Sequence, residues 1–478
     1  MPFPFTLPTT SAVSLTSSID CLSHPSLSIT AATYRGVVRD ALKTYKRLPA
    51  GEQAHHVSIV IAALANYLPY LLALDAGLNA HRGSMPPVNV IMVSIPRFSW
   101  RPSLTESPVP GREVSRVNVS GLDDEIAFVM TTLANCYSLQ ARSALHPLYT
   151  TTGVAPTTEA RTAAIQTATR HLLDAASVCS NVASRVDGGS PVSTTATSAC
   201  LDVTPATARA LAALAMAEAT LLAVMKDDPY PAAVAQDRHA DDREWMYKAP
   251  DIPKVRAHLF ARLCLAAADH AARATALLQA AATISGAKPG ADLVRYISGL
   301  RQSSRAKACR FFGIDADLGG QTGNAIGWLN AGLQELGVDS KSVAKKGSGS
   351  GGGGGLSKLR RDWAEKREDR RVEKEAGWGA DGGCMEETRV IQMLHDKWTK
   401  VNDTMLTQSI PTPGSLLGQM PSGREIHVVK PFTIPQLDPA VLESMRAPPD
   451  PTEVFAARGD ASSEDDLADA EEPGRAYY

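Results

Sequence analysis

The chain has 478 residues, 44% of them apolar and 21% charged, with 48 Lys and Arg against 50 Asp and Glu. A formal net charge of -2 supplies no basic excess for counterion release, so composition excludes a dedicated nucleic-acid binder. The seven cysteines (Cys21, Cys136, Cys179, Cys200, Cys264, Cys309 and Cys384) are odd in number, widely spaced and without a CxxC pair. They read as small buried hydrophobes in a reducing compartment, not as a disulfide or zinc framework.

The first stretch, MPFPFTLPTTSAVSLTSSID, has no basic n-region and no unbroken apolar core, so neither a signal peptide nor an anchor helix is expected. No run reaches roughly 18 uncharged apolar residues, and the expectation is a cytosolic chain that meets membranes only through partners. Residues 1–27 read as extended. From Ser28 the texture changes to long alanine-rich helical segments. VNVIMVSIP (88–96) is the one convincing strand. LDDEIAFVMTTLANCYSLQAR (122–142) begins with acids that suit a helix N-terminus and places Ile126, Val129, Met130, Leu133, Cys136 and Tyr137 at helical spacing. Residues 156–186 repeat the device with Ile165, Leu172, Ala176, Cys179 and Val182. Thr204 before Pro205 is an N-cap with proline at the first helical position, starting a helix that runs to about Lys226.

Residues 254–271, KVRAHLFARLCLAAADHA, are apolar over more than one face. At 100° per residue Lys254, His258, Arg262, Asp269 and Arg273 form a charged stripe, with Phe260, Cys264, Ala267 and Ala271 opposite. Leu259, Leu263 and Ala266 lie on a flank between them, interleaved with Arg256 and His270. Such a flank is neither deep core nor solvated face, and either a partner's helix or a neighbouring helix of the same array covers it. Further on, Ala306, Ala308 and Phe312, then Ala325, Ile326, Leu329 and Leu333, alternate small and large side chains as a TPR-like hairpin does, although no strict 34-residue period recurs. Alanine at helix contacts lets axes approach closely, and an all-α solenoid follows.

Two segments fall outside this pattern. Residues 345–383 combine a Gly/Ser run with a mixed-charge block and read as a flexible insertion. The acidic stretch 451–478 reads as a disordered tail after a domain spanning 1–450. A search for chemistry finds no HExxH, no GxSxG and no GxxxxGK[ST]. The glycine run 347–355 matches GxGxxG only through low complexity, and His258 and His270 are too far apart on one helix to share a metal. The expectation is therefore no catalytic residue, no metal and no cofactor.

Several segments together resemble the Bro-one domain family of Alix-type endosomal proteins. EIAFVMTTLANCYSLQA (125–141) with the helix 171–183 is similar to that family's central hairpin, MAEATLLAVMK (216–226) to its small-residue helix ending in lysine, and HLFARLCLAAAD (258–269) to the helix after it. SGREIHVVKPFTIPQL (422–437) resembles the segment that closes the domain by returning along the body. Together with PFPFTLPTTSAVS at the start, it resembles the fungal branch of the family that serves ambient-pH signalling.

The resemblance implies a boomerang-shaped helical solenoid with a TPR-like core. It implies a concave apolar groove that receives the C-terminal helix of the main ESCRT-III subunit. Matched motif by motif, the groove falls on Ala223, Leu259 and Leu263, with Ala266 beside them on the flank already singled out by periodicity. Ala223 is smaller than the side chain usual there, with Leu222 and Met225 adjacent. The implied partners also include other pH-signalling components, with peripheral recruitment to the plasma or endosomal membrane. Two alternatives stand beside this reading: a general endosomal-sorting adaptor, and an enzyme with its site in the loop 227–253.

Overall fold

The computed structural model describes residues 1–79, 88–107, 109, 111–149, 157–187, 200–231, 254–338, 367, 370 and 378–448. Long helices follow one another along the chain: α1 (Pro25–Arg47), α2 (Ala50–Leu78), α3 (Leu122–Leu145), α4 (Thr158–Asp187), α5 (Pro205–Asp227), α6 (Lys254–Ser285), α7 (Ala291–Leu318), α8 (Thr322–Glu335) and α9 (Cys384–Val401). The short helices α10 (Pro413–Leu417) and α11 (Pro439–Ser444) come last. From α1 to α8 each helix packs chiefly on its chain neighbours, as in a stacked array. The all-α reading is correct.

Local chemistry sets the ends. Thr204 caps α5, its hydroxyl accepting the Thr207 amide at 3.2 Å with Pro205 at the first position. The first turn of α3 carries Asp123, Asp124 and Glu125 where the helix dipole favours anions. The inward residues read from periodicity in α3 and α4 are buried, from Ile126, Val129 and Cys136 to Leu172, Ala176 and Cys179.

The extended N-terminal stretch is pinned, and α1 starts at Pro25, three residues earlier than expected. Among the described residues five short strands replace the single one foreseen. β1 (Thr9–Thr10), β4 (Arg97–Arg101) and β5 (Val117–Ser120) form one antiparallel sheet, and β2 (Ile19–Cys21) pairs with β3 (Val90–Met92) in another. RFSWR alternates polar and apolar strictly but over only five residues, between Pro96 and Pro102, and the sequence reading passed over it; its apolar face, Phe98 and Trp100, is wholly buried.

Two helices are also apolar over a membrane-crossing length, contrary to the sequence expectation. Ala50–Leu78 and Pro205–Asp227 meet that length, with 44% and 72% of their apolar windows buried in the array. In the first helix residues 57–74 form an uncharged, largely aliphatic run interrupted by Ser58, Asn66 and Pro69, and in the second alanine carries the length, so a search for an unbroken apolar stretch passed over both.

The insertion boundary also needs correction. Residues 378–383 belong to the packed body, although the Gly-rich and charged block before them lies outside the described residues apart from Arg367 and Arg370. Trp378 is 2% exposed. The Arg142 guanidinium lies 4.4 Å from the centre of its ring and donates to its carbonyl at 2.7 Å. Composition hid this, because one tryptophan among glycines contributes little to an average. The proposed tail 451–478 lies outside the described residues, as do residues 232–253 of the connecting loop.

Buried ions bind distant parts of the chain. Arg310, fully buried, gives Nε to Glu387 and Nη2 to Asp228, each at 2.6 Å, while Lys307 reaches the other Glu387 oxygen at 2.6 Å. The Tyr230 and Phe311 rings face the same guanidinium at 5.4 and 4.3 Å. Two cations hold the Glu387 carboxyl below its usual pKa against the opposing effect of burial. Glu387→Ala would strand both cations, and its unfolding free energy should fall by about 3–5 kcal/mol, measured by urea denaturation.

Candidate functional site

The flank of α6 is covered by the protein's own C-terminal strap. After α10 the chain runs extended across the helices. The Arg262 side chain donates Nε to the Ser422 carbonyl at 3.2 Å, and the Arg424 amide donates to the Arg262 carbonyl at 3.0 Å. His270 Nε2 and Glu425 Oε2 lie 2.9 Å apart. The strap then crosses α5, where His427 Nε2 is 3.3 Å from the Ala219 carbonyl, and α4, where the Ser177 hydroxyl donates to the Lys430 carbonyl at 2.7 Å. It ends beside β2, the Ala447 amide on the Ser23 carbonyl at 2.8 Å.

Close approach at α6 requires glycine. A Cβ on Gly423 would stand 2.5 Å from the Ala266 nitrogen and 2.7 Å from its Cα, distances no real side chain tolerates. Met420, half-buried, packs against the cluster that contains Leu263.

The four residues expected to line a groove therefore separate. Leu263 and Ala266 are each 2% exposed, beneath or within this packing, and the expectation that they stay open to a partner is corrected. Leu259 and Ala223 are half-buried. Ala223 lies one turn beyond Ala219, and Leu259 about two turns before Ala266, so both lie on one side of the strap, at the helix ends joined by the 228–253 connection. Leu222 is buried at 3% in one cluster with Ala219 and Trp378, whereas Met225 is half-buried like Ala223 and takes the Tyr149 hydroxyl on its sulfur at 3.0 Å. The strap residues Met420, Gly423 and Arg424 were missed as part of this site. SGREIHVVK marks an extended segment, but nothing in it states which helix it crosses.

The buried titratable groups are structural. All seven cysteines are free, six of them buried, and burial drives the thiols up, Cys21 to about 11 and Cys179 and Cys264 to about 12, away from nucleophilic use. Among the described residues no three His, Cys, Asp or Glu side chains gather as a metal set. Of the loop 227–253, the described Asp228 is committed to Arg310.

The fold and strap define an all-helical scaffold whose surface offers apolar strips. It shares its fold with ALIX in complex with the SIVmac239 PYKEVTEDL late domain, at 14% identity and a TM-score of 0.54 over 96% of this chain and 53% of that one. This chain thus spans about half of ALIX. The ALIX BRO1 CHMP4C complex is also similar, 14% identical with a TM-score of 0.48, over 93% of this chain and 98% of that one. No protein-family model matches. The chain belongs to the family of the pH-response regulator protein palC: it is 40% identical to palC of Emericella nidulans over 100% of both chains.

Two measurements test this geometry. Leu263→Asp places a charge in a sealed cluster and should lower the unfolding midpoint as much as Cys264→Asp, whereas Leu259→Asp should leave it nearly unchanged. Glu218 gives the second. Burial pushes its carboxyl up to about 7 from 4.5, against the Tyr296 hydroxyl at 2.7 Å, the N-terminal ammonium and the Phe3 amide at 2.9 Å. The folded state holds this proton longer than the unfolded chain does, so stability present below pH 4.5 is lost as pH rises toward 7. Glu218→Gln should remove that loss, at most about 3 kcal/mol, from urea midpoints compared across the window.

Proposed function

We propose that this chain is a non-catalytic adaptor of ambient-pH signalling that docks the C-terminal helix of the main ESCRT-III subunit on the strip beside the strap. The observation that carries the docking reading is the pair of half-buried apolar side chains, Ala223 and Leu259, left open where the strap has sealed Leu263 and Ala266. An amphipathic helix needs a narrow apolar strip bounded by polar groups, and Arg256 and His258, both exposed, border this one. The pH-response regulator at 40% identity supports the signalling role, and the ALIX fold supports a helical docking scaffold. Acting at the plasma or endosomal membrane through its partners, the adaptor would join ESCRT-III to the complex in which a calpain-like protease activates a zinc-finger transcription factor.

The test is a pull-down with the ESCRT-III C-terminal helix as bait. Leu259→Asp should weaken capture by at least tenfold, equivalent to about 1.4 kcal/mol or more, with the unfolding midpoint unchanged. A folded Leu259→Asp protein that binds like the wild type would overturn the assignment of the strip.

A further inference from the structure

A second surface, at the other end of the array, concentrates positive charge. Lys46 closes α1, Arg101 ends β4, and Arg116 immediately precedes β5. Trp100 pairs with Val117, so one further step of this register sets Arg116 opposite Arg101. Like charges facing each other across antiparallel strands are destabilising, so this arrangement has a cost that packing does not explain.

Two of the three cations share one carboxylate. Lys46 and Arg101 both contact Glu113, one on each oxygen, while Arg116 has only the carbonyls of Thr9 and Ser99, at 3.3 and 3.1 Å. The Arg101 Nε is buried with no hydrogen-bond partner. Burial first, then the charges of Arg101 and Arg116, depress the Lys46 ammonium. Three cations from separate segments gather around one anion, which two of them contact, in a chain whose formal net charge is -2. Arg47 and Arg112, both exposed, are sequence neighbours of Lys46 and Glu113.

Glu113 is 56% exposed, on the loop between β4 and β5. It occupies the position that an external anion would take. A phosphate group suits what remains: tetrahedral, doubly charged near neutral pH and with enough acceptor oxygens for a lysine and two guanidinium forks at once. A single carboxylate leaves Arg116 without an anionic partner and the Arg101 Nε without any.

We infer that Lys46, Arg101 and Arg116 form a binding site for a phosphoryl group, with Glu113 as its internal stand-in. The group is carried either by a phosphorylated lipid headgroup or by a soluble phosphate compound, and both present the same chemistry to these side chains.

The experiment uses the full chain with two probes, inorganic phosphate followed by thermal unfolding, and vesicles followed by co-sedimentation. The vesicles are phosphatidylcholine alone, phosphatidylcholine with phosphatidylinositol monophosphate, and phosphatidylcholine with phosphatidylserine at equal total charge. Phosphoinositide vesicles should retain the protein more strongly than the serine-lipid ones. Arg116→Gln and Lys46→Gln should each weaken binding about tenfold, and Glu113→Gln should strengthen it several-fold. The exposed Lys46→Gln keeps the test open if Arg116→Gln perturbs the sheet. A rise in midpoint with phosphate and no sedimentation supports the site with a soluble ligand. Equal binding to both anionic vesicles, an unchanged affinity in Glu113→Gln, or no response to either probe would overturn it.

Discussion

An alanine-lined helix face draws two neighbours together but cannot seal itself. The contact is close because the side chain is small, and for the same reason it covers little of the backbone between axes. In α6 and α5 this leaves Ala266 and Ala219 with main chain near the surface, and an extended segment closes them, with Gly423 against Ala266 and His427 at the Ala219 carbonyl. The seal needs a residue without Cβ at its tightest point, because the strap lies directly on helix backbone. A helix in that place would hold its axis about 8–10 Å away and could not lay its backbone on Ala266.

The same constraint explains why the ions are buried where they are. A stack of sequential helices has strong contacts between neighbours and few between ends, so its two weak points are long connections and chain reversals. Arg310 joins Asp228, where the long connection after α5 begins, to Glu387, in the first turn of α9. At the other end Arg35 gives Nε to Glu125 at 2.7 Å, and the Trp100 indole donates to the same carboxylate at 2.6 Å, holding α1, α3 and β4 together. Each pair is desolvated at a cost, which extra hydrogen bonds offset: Arg35 also donates to the Ser11 carbonyl and the Thr10 hydroxyl, each at 2.6 Å. Their directional geometry fixes which segments meet, a task that interchangeable alanines perform poorly.

How much of this was legible in the sequence follows from range. Period and capping are local, so α3, α4 and α5 appear almost residue for residue, and the Phe260–Cys264 face of α6 is buried as its spacing demands. The mixed flank of Leu259, Leu263 and Ala266 was recognisable as a surface in need of cover. The cover was not recognisable, because 155 or more residues separate His270 from Glu425 and Arg262 from Ser422, and no period connects them. Composition misled at Trp378 for a related reason. A window that averages glycine and charge reports the chain's flexibility when unfolded, whereas one aromatic ring against Arg142 decides whether it is held when folded.

On the docking role proposed for it, the open strip is also bounded by the strap. By sealing Leu263 and Ala266 it reduces an apolar flank two turns long to Leu259 and the small Ala223, with charged residues at the margin. Burial of so little aliphatic area, at about 25 cal/mol per Å², stabilises a complex only modestly. Specificity must then come from the rim, and the strap contributes to it: Ile426 and Val428 are 49% and 87% exposed, alternating with the inward His427 and Val429, while Arg424 and Lys430 stand exposed on either side of them. A segment that closes the core with one edge and presents alternating aliphatic and basic side chains with the other would couple integrity of the fold to the character of the proposed docking strip. Any change that loosens Gly423 from Ala266 would therefore alter both together.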